Sequence, residues 1–267
     1  MVSRIPIFLA CIVAGVCSAS ANTFPNNFPI LNRSGTAATF STQGFVDLGN
    51  EFHSRVGANG RTCESCHLPQ AGWSIRPLDV ELLFLLTRGD DPIFNPLDAN
   101  SPQPDVSTLQ AKYKSYSMLR KGLFRRGGNL PADAEFEIES FVDPLNTGAS
   151  TTRFEFFRRP LATANLHIAK NIGWHDQNTN GSGDVTAGLI TQANGAINGA
   201  LGGPAATPEV VQSIVTYEAS LSFAQQTIFG VGRLDSCGAQ GGAENLSSQP
   251  SVAGRFTLFD AWIGLVP

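Results

Sequence analysis

The chain has 267 residues, 42% of them hydrophobic and 15% charged, and its formal charge at pH 7 is -4. This is the composition of a folded protein with one large domain or two small ones, and the mild negative charge gives no reason to expect nucleic-acid binding. The 27 glycines and 16 prolines predict many turns and long connections.

Residues 1–21 have the pattern of a secretory signal peptide. Arg4 supplies the positive start, residues 5–16 are apolar, and Ala19-Ser20-Ala21 fits the small-x-small cleavage rule. The apolar run is too short to span a bilayer comfortably, and no later stretch is long enough. We therefore expect a periplasmic or secreted protein that starts at Asn22 and has no membrane span once the signal is removed.

The chain after the signal begins with an expected extended lead-in over residues 22–40, rich in Asn, Pro, Ser, Thr and Gly. Phe45, Leu48, Phe52 and Val56 then recur at helical spacing, which predicts a short amphipathic helix over residues 42–55. His53 on this helix is expected to face solvent. A Gly/Asn turn over residues 57–60 follows.

The next segment, Cys63-Glu64-Ser65-Cys66-His67, is the attachment signature of a c-type haem. On one helical turn the two thiols can form thioethers with the vinyl groups of one porphyrin, and His67 can offer its imidazole to the iron. A zinc site would need a further Cys/His pair at ligand spacing, and a redox CxxC pair would need a strand-helix frame. We find neither, so we predict covalent haem c on Cys63 and Cys66 with His67 as the proximal ligand.

Further helices are predicted along the rest of the chain. They cover residues 80–87, residues 106–123, a helix that starts at Pro208 and a last helix that starts near Ser251. The helix from Pro208 carries Val211, Ile214, Val215, Glu218 and Leu221 at helical spacing. Residues 136–142 and 153–157 alternate and predict a β-hairpin, and residues 176–206 read as a Gly/Asn-rich connection. The expected fold is mainly α: a cytochrome c-like haem domain over residues 22–267 with a small β-hairpin insertion and long loops.

The sixth position of the iron is open to several interpretations. Met118 is the only methionine left after signal removal and is the candidate distal ligand, although a core-packing role is the alternative. His53, His167 and His175 are further candidates, and an open or water-bound position is the last.

Residues 176–184 match the first nine positions of an EF-hand calcium loop. Asp176, Asn178, Asn180 and Asp184 occupy ligand positions, and Gly181 occupies the sixth position. The bidentate Glu expected at position 12 is replaced by Ala187. A calcium site is therefore possible here, and a plain surface loop is the alternative.

Several segments together carry a resemblance to a known family. They are residues 61–69 with Gly72-Trp73-Ser74, residues 159–166 (RPLATANL), Trp174-His175-Asp176 and Gln192-Ala193. The set resembles the first haem site of bacterial di-haem cytochrome c peroxidases and MauG-like proteins.

The resemblance implies that the N-terminal haem is where peroxide reacts and that a second haem, in a C-terminal domain, takes in electrons. It makes Trp174 the candidate bridge between the haems and Gln192 a candidate distal catalytic residue. The chain departs from the family pattern in three ways: Gly-Arg is missing after Trp-Asp, the distal Glu is missing, and there is no second CxxCH.

The function expected from the sequence is redox chemistry by an exported cytochrome. The chain reads as the N-terminal half of a di-haem peroxidase-like oxidoreductase, because it stops at Pro267 within or just after an apolar helix. Its electron partner would be a small redox protein or the second haem domain, and peroxide a possible substrate. The alternatives are a mono-haem electron carrier or redox sensor without catalysis, and a haem-free zinc domain.

Overall fold

A computed structural model describes residues 22–204 and 206–249, and it contains both strands and helices along the chain. Helical segments of all types make up 31% of the described residues, and strands make up 18%. The described residues form three small sheets and five α-helices, which is a mixed α/β fold. The prediction of a mainly α, cytochrome c-like fold is therefore wrong. The predicted signal peptide and the predicted helix from Ser251 lie outside the described residues.

The α-helices are α1 (Pro77–Thr87), α2 (Leu109–Ser115), α3 (Val185–Gly195), α4 (Pro208–Ser220) and α5 (Ala243–Ser247). The strands are β1 (Thr23–Pro25), β2 (Ile30–Asn32), β3 (Gly35–Ser41), β4 (Phe45–Asp47), β5 (Phe124–Asn129), β6 (Arg153–Arg158), β7 (Leu221–Ile228) and β8 (Gly232–Arg233). Short helical turns connect them at Glu51–His53, Cys63–Ser65, Pro69–Ala71, Pro96–Asp98, Leu119–Lys121, Leu166–Ile168 and Ala196–Ala200. No helix in the described part of the chain is both long and apolar enough to cross a membrane.

The largest sheet has four antiparallel strands in the order β2-β3-β7-β8. Strand β3 pairs with β7 from Ser41 opposite Leu221 to Gly35 opposite Ile228, so the start of the described chain lies beside its last third. The lead-in expected to be extended is extended, but long-range pairing makes it part of a sheet. Such pairing partners leave no local pattern in the sequence.

The helix predicted over residues 42–55 is wrong. Strand β4 pairs with β1, with Phe45 opposite Pro25, and so satisfies its backbone groups across a sheet. The Asn50 side chain then accepts the N–H of Phe52 and starts the helical turn Glu51–His53. Apolar residues at helical spacing thus belong to a strand followed by a single turn.

The remaining elements agree with the sequence only in part. Helices α1 and α4 confirm their predictions, and Pro208 occupies the first turn of α4 as expected. Helix α3 occupies a region expected to be a connection, because Asp184 caps it by accepting the N–H of Ala187. Strand β6 pairs with β5 rather than with residues 136–142, and the predicted helix over 106–123 is divided into α2 and the turn Leu119–Lys121.

Two apolar cores fill the interior. The first core lies around α3 and α4 and includes Phe52, Trp73 and Tyr217. The second core lies around α1 and β5 and includes Phe84, Tyr116 and Leu119. Cys63 packs against the first core and Cys66 against the second, so the CxxCH segment lies where the two cores meet.

Candidate haem-attachment site

The CxxCH segment forms one closed helical turn. Thr62 caps it reciprocally with Ser65: the Thr62 side chain accepts the Ser65 N–H, and the Ser65 side chain accepts the Thr62 N–H at 3.0 Å. The N–H groups of Cys66 and His67 both donate to the carbonyl of Cys63 at 3.1 Å. The two cysteines and the histidine are therefore held on one turn, as the attachment chemistry requires.

The imidazole of His67 is oriented by a backbone carbonyl. Its Nδ1 lies 3.0 Å from the oxygen of Trp73, which can only accept, so the proton is on Nδ1 and the lone pair on Nε2. Trp73 has a left-handed backbone (φ 61°), and its N–H donates to the Leu68 carbonyl at 2.9 Å. A metal-binding histidine typically has such a donor bond from its other nitrogen.

The His67 ring is neutral as well as oriented. Burial lowers its pKa, although the backbone carbonyls of Trp73 and Leu161 act in the opposite direction. A neutral imidazole with a free Nε2 lone pair is the form that ligates iron.

The two thiols do not have the properties of a redox pair. Neither is in a disulfide, and burial is the main cause that raises the pKa of both, that of Cys66 to about 12. Reactive CxxC thiols have lowered pKa values instead. No group of three Cys, His, Asp or Glu side chains among the described residues could hold a metal ion, so the zinc alternative gains no support. The donor set of two protonated thiols and one oriented imidazole fits haem c.

A buried ion pair fixes the entry to the turn. Arg61 and Asp98 are 1% and 0% exposed at their side chains, and Arg61 Nη1 lies 2.6 Å from Asp98 Oδ2. The same guanidinium donates to the carbonyls of Pro92 at 2.9 Å and Ile93 at 2.5 Å. The loop that carries Asp98 is thereby tied to the residue two positions before Cys63.

Two segments that the sequence analysis related to one family lie side by side. Ser74 Oγ donates to the Pro160 carbonyl at 2.6 Å, and the Thr163 N–H donates to the Trp73 carbonyl at 3.1 Å. Asn165 in turn brackets Phe223 of β7, with its Nδ2 donating at 3.0 Å and its Oδ1 accepting at 2.8 Å. The 159–166 segment thus supports the loop that orients His67.

An aromatic cluster lies directly behind His67, and we call Phe52, His53, Trp73 and Tyr217 the aromatic cluster below. The Phe52 ring centre is 6.3 Å from that of His67, and the Trp73 and Tyr217 ring centres are 5.9 Å apart. The prediction that His53 faces solvent is wrong, because its side chain is 4% exposed. Its Nε2 lies 2.9 Å from the Tyr217 hydroxyl.

Glu218 is an ionisable group that the sequence analysis counted within the apolar face of α4. It is 3% exposed, its Oε2 has no hydrogen-bond partner, and burial raises its pKa to about 8. Its charge also raises the pKa of the Cys63 thiol. The sequence signal for this buried group is an acidic residue among the apolar residues on one face of α4.

Three other predicted residues make their observed contacts with groups outside the turn. Met118 is half-buried and its N–H donates to Asn100 Oδ1 at 3.2 Å, while Gln192 is half-buried on α3. Trp174 is 50% exposed, with the Arg158 guanidinium 5.3 Å from its ring centre. Within the described residues, no hydrogen bond or ring contact joins these three side chains to His67. Their roles remain predictions.

The remaining histidines also make contacts of their own. His167 Nε2 lies 3.0 Å from the Leu246 carbonyl, and His175 is exposed in the loop after Trp174.

The predicted calcium loop uses its carboxylates internally. Asp176 Oδ1 accepts from the Ile172 N–H at 3.2 Å and from the Thr179 hydroxyl, and its Oδ2 accepts the Gly181 N–H at 2.8 Å. Asp184 caps α3. The segment has the bonding of a surface loop, and a calcium ion on Asp176, Asn178, Asn180 and Asp184 remains a prediction.

Comparisons with family models, with curated proteins and with solved structures gave no match to this chain.

Proposed function

We propose that this protein is an exported redox protein that holds one covalent haem c. Cys63 and Cys66 form the thioethers, and His67 is the proximal iron ligand. The observation that carries the proposal is the joint geometry of the turn: both thiols are on one capped helical turn, and the imidazole beside them has Nδ1 bound to the Trp73 carbonyl. That bond leaves Nε2 as the metal-binding atom.

The bound haem would supply an iron that changes oxidation state by one electron. The residues of the chain position and protect it. Thr62 and Ser65 keep the turn closed, the Trp73 carbonyl orients the imidazole, and the buried Arg61–Asp98 pair fixes the chain before Cys63. The Trp73 hydrogen bond also makes His67 a stronger electron donor to the iron.

The chemistry proposed at this iron is electron transfer linked to peroxide, as part of a di-haem peroxidase-like protein. Its support is the sequence resemblance together with the contacts between Ser74 and Pro160 and between Trp73 and Thr163, which join two of the resembling segments. Electrons would come from a small redox protein or from a second haem domain. A mono-haem carrier or sensor is the second candidate, and it is supported by the lack of any hydrogen bond or ring contact, among the described residues, between His67 and the side chains of Trp174 and Gln192.

Haem attachment is tested by expressing the exported protein together with a c-type maturation system. On a denaturing gel, we expect peroxidase-based haem staining of the wild type and loss of the stain in the double variant Cys63→Ser/Cys66→Ser. Cys237→Ser is the matched control, because Cys237 is the exposed third thiol of the described residues. An unstained wild type that contains zinc would contradict the proposal.

The two redox candidates are separated by absorption spectroscopy. Addition of peroxide to the reduced haem-loaded protein should oxidise it rapidly if the protein has peroxidase-type chemistry. A six-coordinate spectrum that peroxide leaves unchanged would favour the carrier or sensor.

A further inference from the structure

We propose that Tyr217 is a redox-active residue that gives an electron to the oxidised iron site and its phenolic proton to His53. This inference rests on the proposed haem function. It concerns Tyr217, which the sequence analysis did not assign to any site, and His53, which it considered only as a candidate iron ligand.

The hydrogen bond between the two side chains is buried, and the charge beside the imidazole sets its direction. The Tyr217 hydroxyl lies 2.9 Å from His53 Nε2, and the two residues are among the least exposed at this site: Tyr217 is 0% exposed and the His53 side chain 4%. The Glu64 carboxylate lies 3.1 Å from Nδ1 on the other side of the ring, off the line of a good hydrogen bond. A carboxylate there favours the proton on Nδ1, so Nε2 accepts from Tyr217.

This arrangement provides an acceptor for the phenolic proton when Tyr217 is oxidised. Burial raises the pKa of the Tyr217 phenol, with Glu64, Asp47 and Glu218 acting in the same direction, so the resting side chain is neutral. Loss of an electron alone would leave a positive charge in an apolar core, which is costly. Transfer of the proton along the existing bond to His53 leaves Tyr217 neutral and places the charge beside the Glu64 carboxylate.

A short route connects Tyr217 to the iron ligand. His67 Nδ1 is bonded to the Trp73 carbonyl at 3.0 Å, and the Trp73 ring centre is 5.9 Å from that of Tyr217. Phe52 provides a second contact, 6.3 Å from His67 and 5.5 Å from Tyr217 between ring centres. Both routes pass entirely through the aromatic cluster.

Trp73 lies on this route, but its side chain is unsuited to carry the radical. Its Nε1–H donates to the Thr39 hydroxyl at 2.9 Å, and a neutral hydroxyl is a poor base. Tyr217 is the member of the cluster whose proton has an imidazole to accept it. The oxidising equivalent should therefore rest on Tyr217.

The step balances with a peroxide as the oxidant. With haem bound, hydrogen peroxide would take two electrons from the iron site and two protons from solvent, its O–O bond would break, and two water molecules would form. Tyr217 returns one of these electrons; its O–H bond breaks and an N–H bond forms at His53 Nε2. The products are a neutral phenoxyl radical and an imidazolium. One later electron from the redox partner reduces the radical while the proton returns from His53 to restore the O–H bond, and a second electron from that partner removes the oxidising equivalent left at the iron site.

The test is electron paramagnetic resonance of the haem-loaded protein, frozen soon after peroxide is added. We expect an organic-radical signal whose hyperfine structure collapses when the protein contains ring-deuterated tyrosine. Tyr217→Phe should remove the signal, and His53→Phe should lower its yield several-fold. Tyr116→Phe, a change at an equally buried tyrosine in the second core, should leave it intact.

The outcomes separate this inference from the function on which it depends. A haem absorption band before peroxide confirms that the iron site is loaded. With that band present, the absence of a radical, a radical insensitive to tyrosine deuteration, or one that persists in Tyr217→Phe would overturn the inference. If a variant fails to fold, the effect of tyrosine deuteration on the wild-type signal still shows whether the radical is on a tyrosine. A protein without the haem band would instead overturn the proposed function itself.

Discussion

The carbonyl oxygen of Trp73 accepts two hydrogen bonds, from His67 Nδ1 at 3.0 Å and from the Thr163 N–H at 3.1 Å. One backbone atom therefore orients the predicted iron ligand and anchors the 159–166 segment. The Trp73 side chain, which is fully buried, holds that atom in place through its bond to Thr39.

Trp73→Phe should destabilise the protein by about 2 kcal/mol, because it removes this bond and leaves the buried Thr39 hydroxyl unpaired. Urea unfolding followed by circular dichroism measures the change. Trp174→Phe is the control: Trp174 is half-exposed, so its effect should stay within about 0.5 kcal/mol. Equal effects of the two changes would show that the anchoring role assigned to Trp73 is wrong.

The second prediction concerns Asp98, which is 0% exposed and binds both Arg61 and Arg126. Asp98→Asn leaves the buried Arg61 charge without its counter-charge, and we expect a loss of about 3–5 kcal/mol in unfolding free energy. The change Asp79→Asn, in the more exposed pair with Arg76, should cost no more than about 1 kcal/mol. Comparable losses in the two variants would contradict a buried anchor at Arg61.

The third prediction is a pH dependence from Glu218. Its folded pKa is raised to about 8, while the unfolded side chain titrates near its ordinary value of 4.5. Below the unfolded pKa both states are protonated; as pH rises from there towards 8, only the unfolded state loses its proton. Stability should therefore fall with rising pH, by up to about 1.4 kcal/mol per pH unit, and level off above the folded pKa.

Glu218→Gln should remove this slope, because the amide does not titrate. Glu137→Gln, at an exposed position, should leave it unchanged. Unfolding free energies measured in urea at pH 5, 6, 7 and 8 give the comparison. A slope that survives in Glu218→Gln would assign the pH dependence to another group.

The fourth prediction concerns the turn before the haem motif. A Cβ built on Gly57 would lie 2.3 Å from the carbonyl oxygen of Leu201, a backbone atom that cannot rotate away. Gly57→Ala should therefore cost about 1–3 kcal/mol through overpacking. Gly199→Ala is the control, since its Cβ would meet nothing within 4 Å, and it should be neutral or mildly stabilising. Thermal or urea unfolding of the two variants distinguishes a close backbone approach from a general intolerance of alanine.

Local patterns predicted the local features of this protein. Pro208 and the apolar face after it predicted α4, and the spacing of Cys63, Cys66 and His67 predicted a helical turn with these side chains together. Both depend on residues within a few positions of each other. For that reason they could be read from the sequence.

Features that depend on distant partners could not be read in this way. The sheet that joins β3 to β7 pairs Ser41 with Leu221, and β4 is a strand because β1 lies beside it. His53 is buried because Tyr217 of α4 covers it, and Asp98 is buried because Arg61 reaches it. The neighbouring residues in the sequence make each of these positions look polar or helical. Its actual environment is set by residues that only the tertiary fold brings close.

The most direct test of the account is the mass of one tryptic peptide from protein produced with the haem-maturation system. Pro77 blocks cleavage after Arg76, so the peptide extends from Thr62 to Arg88 and contains both cysteines. We predict that it carries the added mass of one haem and keeps its colour after extraction with acidified acetone. A peptide of unmodified mass with two free thiols would contradict covalent haem at Cys63 and Cys66.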